Sequence, residues 1–137
     1  SVCTTSREEV ATFLKTAKRA IVQSESDATK FLVISRHRNS ATITRLGYTL
    51  DDVKQSLLEL SVEDYSSGPN NDRDVSGDVW VFGKREQGLE VYVKLKLFGD
   101  SRMVGLRLLS FHEAESALTY PFRVQRPAAD LTVAKEE

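Results

Sequence analysis

Residues 89–98, LEVYVKLKLF, place several chemically capable side chains on one face of a predicted strand. Leucines and valines occupy the alternate positions, a pattern that predicts a half-buried strand. The intervening positions share the opposite face and carry Glu90, Tyr92, Lys94 and Lys96. A carboxylate, a phenol and two ammonium groups in one row form either a solvated surface or a site that handles a phosphate.

The next predicted strand, MVGLRLLSFH over residues 103–112, breaks this alternation. Val104 and Leu108 fit one apolar face, whereas Leu109 and Phe111 fit the other. A β-bulge at Leu108-Leu109 resolves the conflict, because one extra residue reverses the face of every later side chain. Both leucines then reach the core.

The bulge turns three polar side chains toward the face that carries the lysines: Arg107, Ser110 and His112. We expect a two-residue turn at Asp100-Ser101 between the two strands. In that register Ser110 lies opposite Tyr92. His112 then lies opposite Glu90.

These residue types suit RNA cleavage by the RNA's own 2′-hydroxyl. That reaction needs a base, cations near the phosphorane oxygens, and an acid for the leaving 5′-oxygen. Histidine can be the acid or the base. We predict five catalytic residues: His112, Tyr92, Lys94, Lys96 and Arg107. We predict RNA contacts from Lys84, Arg36 and Arg38, and no metal or cofactor.

Simpler interpretations stay open for each residue. Lysines on the exposed face of a strand are commonly only solvated, and they protect a sheet from aggregation. His112 could be structural, Arg36 and Arg38 could lie in a solvated turn, and Trp80 with Phe82 fits a core better than a base-stacking platform. The alternative to an enzyme is therefore a non-catalytic module that binds RNA or a protein through the same sheet.

Composition narrows the class of protein. The chain has 137 residues, of which 40% are hydrophobic and 28% charged, as expected for one globular domain. No apolar run approaches the roughly 20 residues that span a bilayer, and we see no secretory signal. The lone Cys3 excludes a cysteine-rich zinc site and fits a reducing compartment. We expect a cytoplasmic protein without a membrane partner.

Charge is unevenly distributed although the net charge is only −1. Residues 29–50 contain four basic residues and no acid, whereas residues 51–74 contain seven acids and two basic residues. This division predicts one basic and one acidic surface. A structural interaction domain that uses the acidic segment is a third, weaker interpretation.

Three helices precede the strands. Ser6 and Glu9 form a capping box for the first helix. Residues 36–47 predict a brief helix that Gly47 ends. Thr49 caps the third, and residues 61–65 suggest one further helical turn. The short apolar run 30–35 suits a strand.

The second half of the chain predicts a sheet. Residues 66–77 are rich in Ser, Gly, Pro, Asn and Asp, which predicts a long functional or disordered loop. Three strands then follow in an antiparallel meander. We predict an α+β fold, an antiparallel sheet with helices on one face, in a single domain over residues 1–123. Residues 124–137 are predicted to form a flexible tail.

Four segments in order resemble MqsR-type toxins of bacterial toxin–antitoxin systems: LSVEDY, a Trp-bearing strand, VYVKLKL and SFHE. The resemblance covers about Leu57 to Glu113. It implies a RelE-like fold, cleavage of mRNA without the ribosome, and control by a DNA-binding antitoxin. We expect the free toxin to be a monomer or a dimer. It places Tyr92 in the site and His112 where the family has a basic residue. Ser67 and Val81 depart from the family's lysine and glutamine, so catalysis need not be identical.

Overall fold

The computed structural model describes residues 4–71 and 78–124. Within these ranges the helices are α1 (Arg7–Gln23), α2 (His37–Leu46) and α3 (Leu50–Leu58), with short 3-10 turns at Ala28–Lys30 and Val62–Asp64. The strands are β1 (Phe31–Val33), β2 (Tyr65–Asn71), β3 (Asp78–Glu86), β4 (Leu89–Gly99) and β5 (Val104–Glu113).

The described strands form one sheet in the order β1-β5-β4-β3-β2. The four strands from β2 to β5 pair antiparallel, and β1 pairs parallel to β5. The predicted three-stranded meander corresponds to β3, β4 and β5. The α+β class is confirmed, but the sheet is mixed and a wholly antiparallel sheet was wrong. A short apolar run such as Phe31–Val33 predicts a strand without indicating the direction of its neighbour.

Local capping signals explain where the helices begin and end. The capping boxes of α1, at Ser6 and Glu9, and of α3, at Thr49 and Asp52, are both present. Gly47 ends α2 with a φ of 72°, a left-handed conformation that glycine adopts without steric cost. Helix α2 differs at its start, because the side chain of its N-cap residue, Arg36, makes no capping hydrogen bond.

The core lies between the sheet and helices α1 and α3, on the side that we call the core face. Phe13 of α1 stacks on Trp80 of β3 with ring centroids 4.5 Å apart, so the prediction of a core position for Trp80 is confirmed. Val91, Val93 and Leu95 of β4 point into the same core. The opposite side of the sheet, the outer face, therefore carries the alternate residues of β4.

The predicted loop over residues 66–77 is corrected in its first half. Residues 65–71 form the edge strand β2, which pairs irregularly with β3. An edge strand needs no apolar alternation and tolerates Gly68 and Pro69, so its sequence resembles a loop. The remainder of that segment lies outside the described residues, as does the predicted tail beyond Val124.

Candidate active site

The register of the β4–β5 hairpin decides which side chains meet on the outer face. Lys94 pairs with Ser110 whereas Leu95 pairs with Leu108, so Leu109 is the extra residue of a β-bulge. The predicted bulge is confirmed. It returns the later polar residues of β5 to the outer face.

The turn between these strands differs from the prediction. Gly99 pairs with Val104, and the four residues 100–103 form the turn, with Asp100 N–H donating to the Met103 carbonyl at 2.9 Å. The register therefore shifts by two residues, and His112 lies opposite Tyr92 rather than Glu90. Because the shift is even, every side chain keeps its predicted face.

A buried asparagine holds the bulge in place. The side-chain Nδ2 of Asn39, on α2, donates to the carbonyls of Ile34 and Leu109 at 3.1 Å each. Its Oδ1 accepts the N–H of Phe111 at 2.9 Å, and only 2% of the residue is exposed. Sequence reasoning missed Asn39, because an asparagine inside a helix carries no signal for a distant strand.

Helix α2 takes the place of a strand beside the second half of β5. The β1–β5 ladder ends with Val33 opposite Leu108. Beyond that point Thr42 Oγ1 accepts the N–H of Glu113 at 3.0 Å, in addition to the bonds of Asn39. The side chains of α2 thereby satisfy backbone groups that an absent neighbouring strand would otherwise leave unpaired.

A cleft of about 520 Å³ lies between the start of α2 and the outer face of β4 and β5. The sheet contributes Tyr92, Lys94, Ser110 and His112. Residues 36–39, the N-cap and first turn of α2, form a second wall, and residues 115, 116 and 118 form a third. Both histidines of the chain, His37 and His112, line this cleft although 75 positions separate them in sequence.

The imidazole of His112 is held in one orientation. Its ring stacks on Tyr92 with centroids 5.3 Å apart and an interplanar angle of 21°. Its Nδ1 lies 3.0 Å from the Glu113 carbonyl oxygen. A carbonyl oxygen only accepts, so Nδ1 carries the proton and Nε2 of the neutral ring is the acceptor. A neutral imidazole in this tautomer can take a proton from a substrate.

Ser110 lies beside these residues with its hydroxyl unused. The residue is only 3% exposed, and its Oγ makes no hydrogen bond to the described part of the chain. The described residues contain no fully enclosed side-chain oxygen or nitrogen without a partner. The hydroxyl of Ser110 must therefore retain contact with the cleft.

The predicted RNA contacts Arg36 and Arg38 both line the cleft. Arg38 also pairs with Glu115 at 2.7 Å, between two largely exposed side chains. This ion pair crosses from α2 to the segment that follows β5.

Lys96 and Arg107 share the outer face with the cleft residues but are not part of its lining. They pair across β4 and β5, and the Arg107 guanidinium lies 4.9 Å from the ring centroid of Phe98. These two cations extend the basic surface along the hairpin, away from His112.

Lys84, which we predicted among the RNA-binding cations, lies apart from Arg36 and Arg38 and outside the cleft lining. Lys84 pairs across the strands with the fully buried Val91 and so lies on the core face. Its ammonium bonds to Glu59 at 3.1 Å and to Glu86. The sequence of β3 already indicates that Lys84 lies on the core face, because it alternates in step with the core residues Trp80 and Phe82.

Residues 114–123 cross back over the outer face. Ala114 N–H donates to the Glu90 carbonyl at 2.8 Å, and the Tyr120 hydroxyl donates to the Glu90 carboxylate at 2.6 Å. Burial, and then this bond to Glu90, raise the pKa of Tyr120 well above its ordinary value. Tyr120 packs against Gly83 in β3, where a Cβ would lie 2.7 Å from its Cζ. The carboxylate of Glu90 therefore bonds to Tyr120 and does not line the cleft.

The described residues contain no group of three or more His, Cys, Asp or Glu side chains that could hold a metal ion. Among the helices of the same ranges, none has the length and apolar character of a membrane span.

Comparisons of the chain with protein-family models, with curated proteins and with solved structures find no match. The RelE-like fold and the likeness to MqsR-type toxins therefore stay predictions from the sequence.

Proposed function

We propose that this chain is a metal-independent endoribonuclease that cleaves mRNA. The observation that carries the proposal is the stacked pair of Tyr92 and His112, with the His112 tautomer defined by Glu113, inside a cleft that also contains Lys94. His112 Nε2 supplies a base and Lys94 supplies a cation, two of the groups that RNA self-cleavage requires, and both lie beside a basic helix end.

In the proposed reaction the RNA 2′-oxygen attacks the adjacent phosphorus. His112 Nε2 takes the proton of the 2′-hydroxyl as the new O–P bond forms. The bond from phosphorus to the 5′-oxygen breaks, and His37 donates a proton to that oxygen. The products are a 2′,3′-cyclic phosphate and a free 5′-hydroxyl. Lys94 stabilises the negative charge that develops on the non-bridging oxygens.

The proposal includes a biological setting, for which the support is the ordered sequence resemblance. We propose that the chain is the toxin of a type II toxin–antitoxin pair, that it acts in the cytoplasm, and that a cognate antitoxin neutralises it. Induced expression should then arrest growth, and His112→Ala should abolish the arrest while the protein still folds. Unimpaired growth with abundant parent protein would contradict the toxin role.

Cleavage of a short RNA in the presence of EDTA tests the enzymatic proposal directly. A single 2′-deoxy substitution at the cut site should abolish cleavage there, because the attacking hydroxyl is lost. Lys94→Ala should slow single-turnover cleavage by roughly 10²–10³-fold while RNA affinity changes much less. Lys15→Ala, at an exposed position on α1, is the matched control and should cleave like the parent.

A non-catalytic RNA-binding module predicts a different pattern in the same experiment. Lys94→Ala would then weaken binding and reduce its salt dependence, because only ground-state phosphate contacts are lost. The parent would cleave no RNA, with or without ribosomes. That outcome would replace the nuclease by the binding module.

A further inference from the structure

We infer that the first turn of α2 and the hydroxyl of Ser110 together bind one phosphate group. The binding of a phosphate group does not depend on the proposed function. The assignment of that phosphate to an RNA phosphodiester does rest on it. The site is built from backbone N–H groups and a serine, so it is distinct from the cationic side chains predicted from the sequence.

The start of α2 offers unused hydrogen-bond donors to the cleft. The first bond within the helix runs from Ser40 N–H to the Arg36 carbonyl at 3.0 Å. The N–H groups of residues 37–39 precede it, and the side chain of the N-cap residue Arg36 makes no capping hydrogen bond to them. All three residues line the cleft. Backbone N–H groups at a helix start favour anions, since the helix dipole adds positive potential there.

The charges around this helix end also favour a bound anion. Helices α1 and α3 both carry acidic residues in their first turns, whereas α2 carries none. Arg36, His37 and Arg38 occupy its start instead. Positively charged side chains near the positive end of the helix dipole interact with it unfavourably. A bound anion would remove that repulsion.

Ser110 provides an independent indication of a ligand. It lies on β5, across the cleft from α2, and is 97% buried with a hydroxyl that no described residue engages. Because this hydroxyl keeps contact with the cleft, an acceptor oxygen of a ligand bound there can take the hydrogen bond that no described residue accepts. Its cross-strand neighbour is Lys94. A donor on each wall suits an anion with several oxygens, such as a phosphate.

The cleft contains one group that competes with the phosphate. Glu115 lines it and pairs with Arg38 at 2.7 Å. A phosphate entering beside α2 is repelled by this carboxylate and competes with it for Arg38. Neutralising Glu115 should therefore strengthen phosphate binding.

Titration with inorganic phosphate, followed by amide NMR shifts, tests the site without any cleavage assay. We expect the largest shifts at the amides of His37, Arg38 and Asn39. Ser110→Ala should weaken binding about three- to tenfold, the effect of one lost hydrogen bond. Ser40→Ala removes an exposed hydroxyl from the same helix and should leave binding unchanged.

A pair of variants at position 37 separates the backbone from the side chain. His37→Ala removes the imidazole and keeps the N–H. His37→Pro removes both, yet proline is well tolerated at the first position of a helix. The preceding Arg36, at φ −137° and ψ 146°, is already in the extended conformation that a following proline requires. His37→Pro should bind phosphate about tenfold more weakly than His37→Ala. Equal binding by the two variants would overturn the backbone role.

Glu115→Gln and a second ligand complete the test. Glu115→Gln should bind inorganic phosphate several-fold more tightly than the parent. A 2′-O-methyl RNA dinucleotide, which cannot be cleaved, should shift the same amides if the phosphate belongs to RNA. Shifts with inorganic phosphate alone would support a site for free phosphate and contradict the RNA source. Absence of shifts at residues 37–39 with both ligands would overturn the inference, even if the protein cleaves RNA.

Discussion

The side-chain oxygen of Asn39 accepts the backbone N–H of Phe111 at 2.9 Å, which joins α2 to the bulge of β5. Buried hydrogen bonds therefore hold the two walls of the cleft together. The start of α2 cannot move relative to Ser110 and His112 without breaking buried hydrogen bonds.

Replacing Asn39 tests this connection. Asn39→Ala leaves the Phe111 N–H and the Leu109 carbonyl without their partner, and the free energy of unfolding should fall by about 1–3 kcal/mol. Cleavage should fall further than the folded fraction explains, because the bulge that orients His112 is loosened. Urea unfolding and cleavage by the folded fraction measure the two effects. Ser40→Ala, next to it and exposed, is the control. Unchanged stability would show that the bulge does not need Asn39.

The tautomer of His112 can be observed directly. The bond from Nδ1–H to the Glu113 carbonyl predicts that neutral His112 carries its proton on Nδ1. Long-range ¹⁵N–¹H NMR of the imidazole, recorded at high pH, distinguishes the two tautomers. The exposed His37 provides the comparison in the same spectrum. A proton on Nε2 would contradict the role of that nitrogen as the base.

The two histidines should divide the proton transfers of the proposed cleavage between them. His112→Ala removes the proposed base and His37→Ala removes the proposed acid, so each variant should slow single-turnover cleavage by roughly 10²–10⁴-fold. Lys15→Ala, exposed on α1, is the control and should cleave like the parent. Cleavage at the parent rate by His37→Ala would assign the acid elsewhere.

A buried carboxylate on the core face should make stability depend on pH. Glu86 accepts hydrogen bonds from three side chains: Lys84, Tyr48 and Ser56. Burial acts to raise the pKa of Glu86, but these bonds outweigh it and hold that pKa below its ordinary value. The stabilisation is complete above the pKa of an unfolded glutamate, about 4.3, and is lost as the pH falls through the lower folded-state pKa.

Unfolding measured at neutral and acidic pH checks this contribution. Glu86→Gln should be less stable than the parent at neutral pH, and the difference should shrink as the medium becomes acidic. A constant difference between Glu86→Gln and the parent at all pH values would contradict the linkage.

Gly83 should be intolerant of any side chain, because residues 114–123 cross directly above it. A Cβ there would lie 2.8 Å from Leu118 Cδ1 and would clash with Tyr120. Gly83→Ala should reduce the free energy of unfolding by about 1–3 kcal/mol, as overpacking commonly does. Tyr120→Ala should relieve part of that loss in the double variant, which a double-mutant cycle measures. Additive losses would show that the clash is not with Tyr120.

The sequence by itself determined the features that depend on near neighbours in the chain. Ser6 with Glu9 and Thr49 each mark a helix start, because a capping side chain bonds to N–H groups of its own helix. The interrupted alternation at Leu108-Leu109 predicted the bulge, because side-chain direction along a strand follows from counting residues.

Only the tertiary structure decided which distant groups meet. The parallel pairing of β1 beside β5 brings α2 to the bulge, and so places His37 in the same cleft as His112. Neither Asn39 nor Tyr120 could be assigned from sequence, since their partners lie 72 and 30 positions away. Residues so far apart in the chain have no fixed spacing. Their contacts arise from how helices and strands pack, which burial of the whole core determines.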